Sequence, residues 1–185
     1  MPPTSSAFAG LRQGSLHSFA AVSQFLSEGA AHEDTRLLRE HLATLSGQIE
    51  QATQARRSRH EPAAIERQLA LLARSAHQHQ LLLTGMGSAW HALYEFGAYQ
   101  RALRELRGAL ERWRQALAAR DAVAETERFG DFERLAWRTL GEALLVMDIY
   151  VHQGAGALPA HSTAPQPRGK RLLARLRRWL AGRGL

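Results

Sequence analysis

Cysteine and asparagine are absent from this 185-residue chain, and lysine occurs once, at Lys170. Without cysteine there is no disulfide framework, thiolate metal site or cysteine nucleophile, so nothing marks an oxidising compartment. Without asparagine there is no N-glycosylation sequon. Residues that favour strands are scarce: valine is confined to Val22, Val123, Val146 and Val151, and isoleucine to Ile49, Ile65 and Ile149. Ala, Leu, Arg, Gln and Glu dominate instead, which predicts an all-α fold. No stretch approaches the roughly 18 apolar residues that a membrane-spanning helix needs. The first residues carry no charged segment followed by an apolar run, so no secretory signal is visible and the expected location is cytoplasmic.

What charge there is sits unevenly. Seven of the 24 basic residues fall after position 167 (Arg168, Lys170, Arg171, Arg175, Arg177, Arg178 and Arg183), and no acid follows Asp148. The other 17 basic residues balance the 17 acidic ones, so the formal charge of +7 belongs to the C-terminal tail. A generally basic, nucleic-acid-coating body is thereby disfavoured.

Apolar spacing organises the chain into four parts. Residues 1–8 are rich in Pro, Ser and Thr and read as a disordered N-terminus. Residues 9–152 read as an elongated antiparallel bundle of four to five helices. A first helix is expected over Leu11–Leu26 and a second over Thr35–Arg56, with Asp34 as its cap. In the second, Leu38, Leu42, Leu45, Ile49 and Ala52 form one seam. Pro62 suits the first position of a third helix, where its missing N–H costs nothing, and Ile65, Leu69, Leu72, Ala76, His79 and Leu83 continue the spacing. The segment Thr84–Ser88, with two glycines, predicts a break, after which Ser88 caps a short helix carrying Trp90, Leu93 and Tyr94. Long helices follow over Ala98–Arg120, with Tyr99, Leu103, Leu106, Leu110, Trp113 and Leu117 inward, and over Asp131–Val151, with Phe132, Leu135, Leu140, Leu144, Met147 and Val151 inward. Residues 153–169 (QGAGALPAHSTAPQPRG) have the composition of a flexible linker, and 170–182 form a separate amphipathic helix.

One internal echo stands out. Phe96, Gly97, Tyr99 and Arg101 match Phe129, Gly130, Phe132 and Arg134 at an offset of 33, and GAYQRALRELRGAL (97–110) resembles the second half of a tetratricopeptide repeat. Trp90, however, stands where that family's first helix wants a small residue, and the second copy loses register after Arg134. Two helices that begin alike account for the match.

Few residues are arranged for catalysis. No histidine has a glutamate three positions before it, as di-iron carboxylate bundles require. Glu28 with His32, and His91 with Glu95, have four-residue spacing, while His77 and His79 point to different faces. No metal site is assembled from these, and no cofactor is implied. No serine lies in a nucleophile elbow, and Gly85-Met86-Gly87 lacks both the strand and the third glycine of a dinucleotide fingerprint. The expectation is a protein that is not an enzyme. Trp90, Tyr94, Phe96 and Tyr99 cluster around the glycine break and define a candidate groove for a partner helix, against which stands their use as core.

The tail is the most informative segment. Placed at about 100° per residue, Leu172, Leu173, Leu176, Trp179 and Leu180 fall within an arc of about 120°, flanked by Arg171, Arg175 and Arg178 on one side and Lys170 and Arg177 on the other. This is the layout of an in-plane interfacial helix, with leucines in the acyl boundary, tryptophan at headgroup depth and cations reaching the phosphates. The segment resembles the C-terminal membrane-targeting helices of bacterial division-site proteins, which are also short, basic and amphipathic and follow a disordered linker. These features predict an adaptor or assembly factor held at the inner face of a cell membrane, with an unidentified protein partner and self-association as a further expectation. Three other readings remain open: RNA or DNA binding through the tail, a ligand- or metal-sensing bundle, and packing of the tail on its own body.

Overall fold

The computed structural model describes residues 17–28 and 33–153. About 90% of these are helical, and no strand occurs among them. Among the described residues six helices follow one another: α1 (Phe19–Glu28), α2 (Glu33–Arg57), α3 (Pro62–Gly85), the single turn α4 (Ser88–His91), α5 (Tyr94–Ala118) and α6 (Ala122–Gln153). The all-α expectation holds. Residues 1–8 and 170–182, and all but the first residue of the linker, lie outside the described residues.

Local chemistry sets most boundaries. Ser18 Oγ accepts the Ala21 N–H at 3.1 Å, an N-cap that starts α1 at Phe19, whereas the sequence pattern placed the start at Leu11. Residues 11–16 of that expected helix lie outside the described residues. α2 begins one residue ahead of the predicted cap, Asp34. Pro62 takes the first turn of α3, as expected from its fixed φ. The predicted break is real: α3 ends at Gly85, and Met86 and Gly87 are extended. Ser88 is the first residue of α4 and Gly87 its cap; Leu93 is extended between α4 and α5, so Tyr94 opens the next helix.

The largest departure is at α6, which starts nine residues before the expected Asp131. Asp121 Oδ1 accepts the N–H groups of Val123 and Ala124 at 3.1 and 3.0 Å, an Asx cap that launches the helix, and α6 then runs through Gly130 without interruption. The echo at offset 33 thus joins the first turns of α5 to the interior of α6. The two helices do not begin alike.

Each long helix packs on the next, α1 on α2, α2 on α3, α3 on α5 and α5 on α6, while α6 also touches α2. Side-chain bonds register three of these seams. Ser46 Oγ donates to Phe19 O at 2.7 Å and Arg39 Nη2 to Phe25 O and Leu26 O at 3.1 and 3.2 Å, fixing α1 on α2. Glu66 pairs with Arg114 between α3 and α5, and Thr139 Oγ1 donates to Ala102 O at 3.2 Å between α6 and α5. The predicted seams are the core: Leu42, Leu45, Ile49, Leu69, Leu103 and Phe132 are fully enclosed. Each such side chain contributes roughly 1.5–3 kcal/mol of hydrophobic stabilisation. Trp113 lies between Phe129 and Phe132, 5.0 Å from each ring, and Phe19 stacks on Trp137 at 4.3 Å. From Thr139 to Met147 nine successive residues are buried, so α6 is enclosed there on every side. Val151, expected inward, is 45% exposed.

Candidate functional site

Lys170, Arg171, Leu172, Leu173, Arg175, Leu176, Arg177, Arg178, Trp179 and Leu180, the residues expected at a membrane, lie outside the described residues. The structure adds one fact that bears on them: among the described residues no helix is long and apolar enough to cross a membrane.

The expected aromatic groove is corrected. Trp90, Phe96 and Tyr99 are 5%, 1% and 0% exposed, and Tyr94 alone faces outward, at 75%. Trp90 lies face to face with Tyr150 at 3.8 Å and packs against Phe96, so these rings close the end of the core instead of lining an open channel. The reason is the kink itself. Leu93 turns the chain so that the first turn of α5 presents Phe96 and Tyr99 inward, three residues apart, while Tyr94 falls on the opposite side.

Inside the core sits a polar pair that the leucine pattern had flagged only as a histidine on an apolar seam. His79 of α3 is completely buried, and its Nε2 shares a hydrogen bond with the hydroxyl of Tyr99 on α5. Its other ring nitrogen, Nδ1, has no hydrogen-bond partner. Burial, reinforced by His41 of α2 with its ring 6.0 Å away, lowers the His79 pKa to about 3, so the ring is neutral at physiological pH. Burial likewise pushes the Tyr99 phenol well above its usual range, so it keeps its proton. Among the described residues no three His, Asp or Glu side chains converge as a metal site would require.

A second feature escaped the sequence pattern altogether. At the end of the molecule where the α2–α3 and α5–α6 connections meet, a cleft of about 730 Å³ opens. Arg56, Arg57, Arg59 and Arg120 line it, with Asp121 and Glu125 as its acids and Ile65, Ala116 and Leu117 among its apolar surfaces. The volume lies within the range usual for small-molecule sites.

Both connections close in the same manner. His60 N–H donates to Ala55 O at 3.0 Å and Arg59 N–H to Arg56 O at 3.0 Å; Asp121 N–H donates to Ala116 O at 3.3 Å and Arg120 N–H to Leu117 O at 3.1 Å. These are paired Schellman closures, and each places an arginine in the left-handed position that normally takes glycine: φ is 53° at Arg59 and 56° at Arg120. A side chain held there costs on the order of 1–3 kcal/mol. No other non-glycine residue among those described has positive φ.

The cations of the cleft differ in how they are used. Arg56 makes a two-pronged pair with Glu125, bonds Thr126 Oγ1 at 3.0 Å and lies 4.6 Å over the Phe129 ring. Arg57 pairs with Glu133. Arg59 and Arg120 are exposed and have no side-chain hydrogen bond or ion pair among the described residues. A signal for them existed in the sequence: the two tight turns SRH and ARD (58–60 and 119–121) contain no glycine where a helix must stop and reverse.

Comparison of the chain with protein-family models, with curated proteins and with solved structures finds no match.

Proposed function

We propose that this chain is a non-enzymatic adaptor or assembly factor, held reversibly on the cytoplasmic face of an anionic membrane by residues 170–182. In this reading the described helices form an antiparallel bundle that binds other proteins, and the final helix is the anchor. One observation carries it: seven basic residues and no acid after position 167, with Leu172, Leu173, Leu176, Trp179 and Leu180 on one helical face among them. The body supports the reading indirectly. Its formal charges cancel, and none of its described helices could span a bilayer, so attachment falls to the tail.

The energetics favour reversible binding. Half-burying five apolar side chains contributes about 4–7 kcal/mol. Each cation near an anionic leaflet adds up to about 1 kcal/mol, and ordering a dozen residues opposes both. Self-association of the body would add the tails of two copies on one surface.

Co-sedimentation with anionic vesicles tests this directly. Full-length protein should pellet, and protein ending at Gly154 should remain in solution. Trp179→Ala should weaken binding severalfold. Equal behaviour of the two lengths overturns the proposal, as does tail-dependent RNA or DNA binding that has a steep salt dependence and is indifferent to Trp179→Ala.

A further inference from the structure

We infer that the cleft between the two helix turns is a binding site for a small organic phosphate, with the phosphate held by Arg59 and Arg120 and an apolar moiety against Ile65 and Leu117. This goes beyond membrane attachment, involves no residue of the tail, and stands or falls separately.

The charge balance comes first. Arg56 and Arg57 face Glu125 and Glu133, so their positive charge is answered within the protein. The Asp121 carboxylate accepts two N–H groups at the start of α6. Arg59 and Arg120 are left, one from each turn, lining the same cavity without an ion pair to any described side chain. Two guanidinium groups approaching from separate turns suit a ligand that has about two negative charges and three acceptor oxygens, which a phosphomonoester has and a single carboxylate lacks.

Backbone geometry points the same way. Helix reversals at these two positions are most easily made by glycine, yet arginine occupies both. Two conformationally costly arginines in adjacent turns, converging on one cleft, are accounted for if the guanidinium groups are needed there. The walls supply the rest of the specificity: Ile65 is 6% exposed and Leu117 is half-buried, and both belong to the cleft lining. An apolar group on the ligand would cover them.

The same geometry provides the test, because glycine at either turn removes the guanidinium and relieves the backbone at once. Calorimetric titration of the full-length protein with inorganic phosphate, with phenyl phosphate and with monomeric short-chain phosphatidic acid measures the phosphate and apolar contributions. The wild type should bind phenyl phosphate saturably and at least tenfold more tightly than inorganic phosphate. Arg59→Gly and Arg120→Gly should each weaken phenyl phosphate binding tenfold or more, with a Tm equal to or above that of the wild type. Arg104→Ala, which removes an α5 cation outside the cleft, should leave binding unchanged. Tighter binding of the phosphatidic acid than of phenyl phosphate assigns the site to lipid headgroups; the reverse order assigns it to soluble phosphates. Absence of saturable binding by the wild type overturns the inference. Undiminished affinity in both glycine variants, or a loss in Arg104→Ala equal to theirs, overturns it as well.

Discussion

Glu125 on α6 holds Arg56 on α2 with both carboxylate oxygens, at 3.3 and 3.1 Å, and the Nε1 of Trp113 on α5 donates to the same carboxylate at 2.8 Å. One side chain thus ties three helices together at the cleft end. Arg56 and Glu125 are 27% and 15% exposed, so neither is well solvated. Replacing Glu125 with Ala leaves a half-buried guanidinium and a buried indole N–H without their acceptor. A loss of about 2–4 kcal/mol is expected in urea unfolding. Glu125→Gln keeps an acceptor for Trp113 and should cost less; equal losses would mean that the lost charge accounts for the whole effect and the acceptor for none of it.

His79 makes stability depend on pH. Its pKa is lowered from 6.5 to about 3 in the folded protein, while the unfolded chain keeps the ordinary value. Between these limits the unfolded state binds a proton that the folded state refuses. The contribution is therefore complete above about pH 6.5 and declines as the pH falls toward 3. At pH 5 the decline amounts to about 2 kcal/mol. In the double variant His79→Leu/Tyr99→Phe, which removes both members of the hydrogen bond, unfolding free energies at pH 7 and pH 5 should differ by about 2 kcal/mol less than in the wild type. Identical pH dependence would show that the ring titrates normally.

The glycines of α6 and α2 should respond oppositely to alanine. A Cβ at Gly130 would meet nothing within 4 Å, and the site is exposed in the interior of a helix. Gly130→Ala should stabilise by about 1 kcal/mol, raising Tm by roughly 2–4 °C. A Cβ at Gly47 would come within 3.3 Å of Ser23 Oγ, whose hydroxyl donates to Ala43 O at 2.8 Å. Gly47→Ala should bring no gain, because α1 must shift to admit it.

Trp90 and Tyr94, four residues apart, separate core from surface. Trp90→Ala should cost about 3–5 kcal/mol, since it opens a cavity against Tyr150 and Phe96. Tyr94→Ala should stay within about 0.5 kcal/mol of wild type. Thermal denaturation of the two variants checks this, and comparable losses would contradict the placement of Tyr94 outside.

The seams of α2, α3 and α5 were legible because their apolar residues recur at three- and four-residue steps, and Leu38 through Ala52 and Ile65 through Leu83 are buried as the spacing requires. The start of α6 was not legible. AVAETERFG (122–130) offers little apolar periodicity and ends in a glycine that reads as a stop, while the decisive signal is the carboxylate of Asp121. The aromatic cluster misled for a different reason: composition shows that Trp90, Tyr94, Phe96 and Tyr99 are near one another, but only the turn at Leu93 decides which of them face inward. The arginine cleft went unread because its two halves lie about 60 positions apart and depend on left-handed backbone, of which the one hint is a pair of helix reversals without glycine.

α6 begins at the arginine cleft and continues unbroken for 32 residues, a rod of about 48 Å. Gln153 therefore stands at the end of the molecule opposite the cleft, and a phosphate held between the two turns would lie a full helix length from it.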